Sequence, residues 1–185
     1  MSQEQANIEL QVDKYTEYAK RTLSDKFYID QPGLPVALKD AVEEFIAAGQ
    51  KLDKFKKVLF YGKDISTAGA VDKTQDGTYL TALTEDQQKV FHAAIGIATE
   101  ATEIIEQVHS SYANGTELDV ANLGEEIGDS FWYNSILFRV LNLNFHKILH
   151  TNILKLAKRY GDKFTEFRAD NRDLEAEREI LNKGV

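Results

Sequence analysis

Residues 125–138, EEIGDSFWYNSILF, decide how the chain is read. The stretch is helical in pattern, yet its first turns carry Glu125, Glu126 and Asp129 and the remainder is almost wholly apolar. At about 100° per residue, Ile127, Phe131 and Phe138 fall on one side, and Trp132, Ile136 and Val140 on the other. A helix that is apolar all round is expected to be buried. Glu126 and Asp129 share the second apolar side with Tyr133, Ile136 and Val140, so two carboxylates are destined for a dry face. That placement needs a chemical reason.

The preceding helix offers one. HAAIGIATEATEIIEQV, residues 92–108, has an apolar arc of Val90, Ala94, Ile97, Ala101, Ile104, Ile105 and Val108. Glu100 and Glu103 stand one turn apart just beyond one edge of that arc, with Gly96 a turn earlier. Acids three apart on a helix can converge on one cation. The two helices are joined by about six residues, so they are expected to pack antiparallel. Glu103 then lies about 15 Å before the end of the first and Asp129 about 13.5 Å after the start of the second. The pairs Glu100/Glu103 and Glu126/Asp129 are thus level across the hairpin. Four carboxylates at one height near a core require protonation or a hard divalent ion between them. An all-oxygen donor set favours Mg²⁺ or Mn²⁺ over zinc.

Helical periodicity continues in both directions from this hairpin. The pattern predicts helices at 4–24 and 36–59, the second with Pro35 at its start, where a missing N–H costs nothing. Pro32 and Pro35 lie in DQPGLP, the break between them. Residues 61–83 show no period and hold three glycines, as expected of a functional loop or lid. Thr84 and Gln87 form a capping box for a helix over 85–113, which Asn114-Gly115 stops. Asp119 caps a helix over 120–142, and Asn144 one over 145–160 that Gly161 ends. Residues 171–182, NRDLEAEREILN, form a short charged helix expected to be solvated. The resulting expectation is an all-α fold, a four-helix-type bundle with extra N-terminal helices and a C-terminal helical arm. It is organised as one domain over 1–185: N-terminal helices 1–60, a long loop 61–84, catalytic helices 85–160 and an arm 161–185.

The fifth helix, HTNILKLAKRYGDKF, places Asn152, Lys155 and Arg159 within an arc of about 60°. A short connection makes it antiparallel to its predecessor, so this stripe is level with the acids at about 20 Å of rise. Basic residues near a helix C-terminus are also expected from its dipole alone. Beside a divalent ion, the stripe suits a polyphosphate.

Composition removes several classes of function. The chain has 185 residues, 43% hydrophobic and 28% charged, as in ordinary globular proteins. A formal net charge of −8 argues against binding a nucleic-acid polymer. No cysteine is present, which excludes disulfides and thiolate metal sites. Nothing suits a membrane span, and the polar start MSQEQANIEL is no secretory leader, so a cytoplasmic protein is expected. A di-iron carboxylate bundle would need two ExxH elements, and only Glu106 and His109 have that spacing.

Taken in order, HAAIGIATEATEI, LGEEIGDSFWYNSIL and NILKLAKRYGDKF resemble the MazG-like nucleotide pyrophosphohydrolases. That family belongs to the all-α NTP pyrophosphatases, with the dimeric dUTPases and phosphoribosyl-ATP pyrophosphohydrolase. Its ExxE and ExxD hallmarks match Glu100, Glu103, Glu126 and Asp129, and its N-x-x-K-L-x-x-R stretch matches Asn152, Lys155, Leu156 and Arg159. The resemblance covers residues 90–180, with Thr102 standing where relatives often have glycine. It implies a Mg²⁺-dependent hydrolase that cleaves a nucleoside triphosphate between the α- and β-phosphates. The four acids would be both catalytic and metal-holding, with Asn152, Lys155 and Arg159 on the phosphates. It also implies a homodimer or homotetramer, in keeping with more apolar surface on the fourth helix than one neighbouring layer covers.

Further candidate substrate contacts are His92, Tyr133 and Arg172, with Tyr133 read first as a packing residue. Asn171 is a further candidate in the C-terminal segment, and Lys63, Lys73 and Tyr79 are candidates in the loop. Gly96 leaves room either for a base or for a close helix crossing. The alternatives are a helical module that binds nucleotide and metal without turnover, or a hydrolase of dUTP or a guanosine alarmone.

Overall fold

The computed structural model describes residues 14–69 and 78–183, and among these every regular element is helical. Helix α1 is described over 14–21. It is followed by α2 (Leu34–Tyr61), α3 (Glu85–Asn114), α4 (Val120–Val140), α5 (Phe145–Tyr160), α6 (Glu166–Asp170) and α7 (Leu174–Asn182). The chain divides into two compact units, the described residues of which are 29–69 with 78–142 and, in the other, 14–28 with 143–183. The stretch read from the sequence as one catalytic segment, 85–160, is therefore shared between them, with α5 grouped with α1, α6 and α7.

Local signals account for the helix ends. The Thr84 hydroxyl accepts from the Gln87 N–H, and the Gln87 side chain returns to the Thr84 N–H, closing the expected box. Asp119 accepts from the N–H groups of Ala121 and Asn122, and Asn144 from that of Lys147. Gly62 and Gly115 end α2 and α3 with φ of 68° and 64°, a conformation open to glycine at no steric cost. The loop expected over 61–83 contains two 3₁₀ turns, Ile65–Ala68 and Thr78–Ala82. Lys73, and the side chain of Tyr79, lie outside the described residues, as does the start of the first helix. The helix predicted over 171–182 is α7, capped by Asp173, and a short helix that was not predicted, α6, precedes it with Thr165 as its cap.

In the unit 29–142, α3 packs against both α2 and α4. Its buried residues are Ala93, Ile95, Gly96, Thr99, Glu100, Thr102 and Ser111. This corrects the predicted arc: Ala94 and Ala101 are exposed, and Ile97, Ile104, Ile105 and Val108 are half-buried. Small side chains decide the outcome. A Cβ on Gly49 of α2 would overlap Thr102, and one on Gly96 would overlap the ring of Tyr133 from α4. The helix axes thus approach over glycine and threonine, and close packing outweighs hydrophobicity in choosing the face.

Helix α4 is covered on one side alone. Glu126 and Tyr133 are buried, whereas Ile127, Phe131 and Trp132 are exposed. The expectation of burial all round is corrected accordingly. With α3 as its packed neighbour in this unit, α4 keeps an open apolar face.

Candidate metal centre

The acids converge as a group of three. Glu100 and Glu103 on α3 and Glu126 on α4 each place a carboxylate oxygen such that all lie within 4.8 Å of one another. Asp129, expected as the fourth member, is exposed on α4 and is not part of this group. Asp129 stands about 60° from Glu126 around α4, and its side chain is exposed to solvent.

The carboxylates are short of positive charge. Burial raises the pKa of Glu100 against the pull of Lys56. Burial, reinforced by the charges of Glu100, Glu126 and Asp53, pushes Glu103 up to about 7. Asn122, one turn before Glu126, donates from Nδ2 to Glu126 Oε1 at 2.8 Å and fixes that carboxylate. Glu103 opens onto two clefts of about 420 and 410 Å³, one beside Gly49 and Asp53 of α2 and the other beside Asn122 and Glu126 of α4. Oxygen donors at this spacing, with the pKa values of Glu100 and Glu103 raised chiefly by burial, fit a hard divalent cation.

The sequence reading did not single out Lys56 of α2. Only 4% exposed, its ammonium donates to Thr99 Oγ1 at 2.8 Å and to Glu100 Oε1 at 3.3 Å. Asp53 Oδ1 lies 3.3 Å away, and the Tyr133 ring centroid 5.4 Å. Burial alone would lower its pKa, but Tyr133, Glu100 and Asp53 together leave it raised. The available signal was spacing: Gly49 and Lys56, the two buried residues of α2, are seven apart and so share a helix face.

An aromatic group adjoins the acids. His92 stacks on Phe60 at 3.8 Å and meets Tyr61 and Tyr133 edge-on. Its Nε2 is buried without a hydrogen-bond partner among the described residues, and burial, then Lys56, lowers its pKa, favouring the neutral ring. Tyr133 fills the space above Gly96, and its hydroxyl lies 3.4 Å from that of Tyr61. The room left by Gly96 is therefore taken by a side chain of the protein.

The predicted phosphate stripe lies in the other unit and is differently employed. Arg159 donates to both oxygens of Glu177, from Nε at 2.8 Å and Nη2 at 2.5 Å. Arg172 adds Nη2 to Oε2 at 2.7 Å. Glu177 is 3% exposed, and the bonds from Arg159 and Arg172 hold its pKa down to about 2. Asn152 Oδ1 lies 3.4 Å from the Tyr15 hydroxyl that donates to it. Lys155 makes no ion pair among the described residues, and burial with the charge of Arg159 lowers its pKa. Asn171 donates to the Phe167 carbonyl within its own turn.

No family model, curated protein or solved structure matches the chain. Among the described residues no helix is long and apolar enough to cross a membrane.

Proposed function

We propose that this chain is a divalent-metal-dependent nucleotide pyrophosphohydrolase of the MazG-like kind, converting a nucleoside triphosphate to the monophosphate and pyrophosphate. The observation that carries the reading is the convergence of Glu100, Glu103 and Glu126 from two helices, with donors within 4.8 Å and too little positive charge around them. Mg²⁺, with Mn²⁺ as a substitute, would supply neutralisation of phosphate charge and acidification of a water. Glu100 and Glu126, the buried pair, would hold it. Glu103, the exposed member, lines both clefts and would accept the proton of the attacking water. Of the cations that the sequence suggests for phosphates, Arg159 and Arg172 are bound to Glu177, and Lys155 makes no ion pair among the described residues. The chemistry relies on positioning and electrostatics, so no nucleophilic side chain is required.

The open apolar face of α4 supports self-association as a homodimer or homotetramer. A monomer by light scattering at micromolar concentration would remove that part of the reading.

The deciding experiment is product analysis over a panel of NTPs, dNTPs, dUTP and guanosine alarmones, with Mg²⁺ and with EDTA, beside Glu126→Gln. Metal-dependent monophosphate and pyrophosphate, lost in the variant, is the expected result. Orthophosphate as first product would move the cleaved bond. Binding of nucleotide and Mg²⁺ with no turnover of any panel member would favour a non-catalytic binding module.

A further inference from the structure

The acid centre already contains a cation. Lys56 comes from α2, a helix that supplies none of the three converging carboxylates, and is nonetheless buried against one of them, Glu100. Its ammonium touches Glu100, Asp53 and Thr99 and lies over the Tyr133 ring, so every polar direction open to it is occupied. A lysine on a long surface-exposed helix ordinarily extends its ammonium into water. Here the chain has drawn one inward, and the helix crossing that permits it is built from Gly49 against Thr102.

Charge gives this placement a consequence. Asp53, Glu100, Glu103 and Glu126 bring four carboxylates. Lys56, together with Lys57, whose ammonium is 2.5 Å from Asp53 Oδ2, brings two positive charges. The deficit is two charges, that of one divalent ion.

Resting on the reading of these acids as a metal centre, we propose that Lys56 is a resident cation of that centre. It takes the place of a second metal ion and limits the nucleotide-free protein to one divalent cation. The ammonium engages one oxygen of Glu100 and repels any further cation brought close to it, a strong effect at such short range even in a well-screened medium. Additional ions would enter only with a polyphosphate, which brings its own negative charge.

The test is Mn²⁺ titration without nucleotide, following free Mn²⁺ by electron paramagnetic resonance and the heat by calorimetry. Wild type is expected to bind one ion per chain. Lys56→Gln, which leaves the acids without their internal counter-charge, is expected to bind a second ion or to bind the first about tenfold more tightly. Lys56→Arg, which keeps the charge, should retain a single ion. Asp53→Asn provides an independent check that leaves Lys56 in place. It shrinks the deficit to one charge and should weaken the first ion severalfold, although Asp53 is not one of the three converging acids. Circular dichroism verifies that each variant is folded.

Two ions on wild type would overturn the proposal, as would unchanged affinity and stoichiometry in both Lys56→Gln and Asp53→Asn. Should Lys56→Gln not fold, the Asp53→Asn affinity decides alone. No Mn²⁺ on any of the four proteins would mean that the metal-centre reading itself is wrong. Binding by Lys56→Gln but none by wild type would also overturn the proposal, because wild type is expected to hold one ion.

Discussion

The two units treat a buried carboxylate in opposite ways. Around Glu100, Glu103 and Glu126 the acids outnumber the cations, and Glu103 is pushed up to about 7 by burial and its neighbours. Around Glu177 the cations outnumber the acid, and Arg159 with Arg172 holds it down to about 2. Glu177 has every oxygen engaged and asks nothing of a ligand; it fastens α7 to α5. In the acid centre, Asp53, Glu100, Glu103 and Glu126 face only Lys56 and Lys57 among the described residues. Unsatisfied charge, more than burial or acidity alone, separates a site from a staple.

The largest effect that should follow from this contrast is catalytic. Glu126→Gln is expected to lower nucleotide turnover by about 10²–10³-fold while leaving the fold intact, read from steady-state rates beside circular dichroism. In the other unit the largest effect should be on stability. Glu177→Ala leaves the 14%-exposed Arg159 without its carboxylate and is expected to cost about 3–5 kcal/mol in urea unfolding. If Glu177→Ala were neutral to folding, the staple reading would be lost. Gly49→Ala comes next. Its methyl would collide with Thr102, prising α2 from α3 at a cost of about 1–3 kcal/mol and moving Lys56 away from Glu100.

The smallest effect is also the sharpest comparison, because the two regions should respond to pH with opposite sign. The folded pKa of Glu103 lies above its ordinary 4.5, so its contribution is intact below 4.5 and is lost as pH rises through about 7. Metal-free protein should therefore lose thermal stability across that interval. Glu103→Gln, or saturating Mg²⁺, should remove the loss and raise Tm at pH 8 by about 2–4 °C. The folded pKa of Glu177 lies below its ordinary 4.5, so its contribution is present above 4.5 and lost as pH falls through about 2. Glu177→Gln should flatten the acid limb alone, as followed by differential scanning fluorimetry from pH 2 to 9.

Helix limits were legible in the sequence because capping is local chemistry. Thr84 with Gln87, Asp119, Asn144 and Gly161 act within a few residues of themselves, and α3 and α5 start and stop where those signals stand. Which face of α3 is buried was not legible, since a helical wheel weighs hydrophobicity whereas α2 and α4 select for small volume at Gly96, Thr99 and Thr102. The same difference explains Lys56: a lone sequence reads it as a solvated charge until the Gly49 crossing carries its helix down beside Glu100. Of the four acids that the spacing brings level, Glu100, Glu103 and Glu126 stand together, while Asp129 is exposed to solvent. The role of Glu177 was hidden because its partners Arg159 and Arg172 lie 18 and 5 residues away, and only folding brings both to one carboxylate.

The open side of α4 also equips the protein with its own optical probe. Trp132 is the only tryptophan in the chain, 56% exposed and edge-on to Tyr133 at 4.9 Å. Tyr133 in turn carries Lys56 over its ring. One indole thus borders the uncovered apolar surface on one side and the lining of the acid centre on the other. Its emission would shift to the blue when a second molecule covers that surface. Cation loading would alter its intensity through Tyr133 without the colour change, so assembly and metal occupancy can be followed separately in one unlabelled sample.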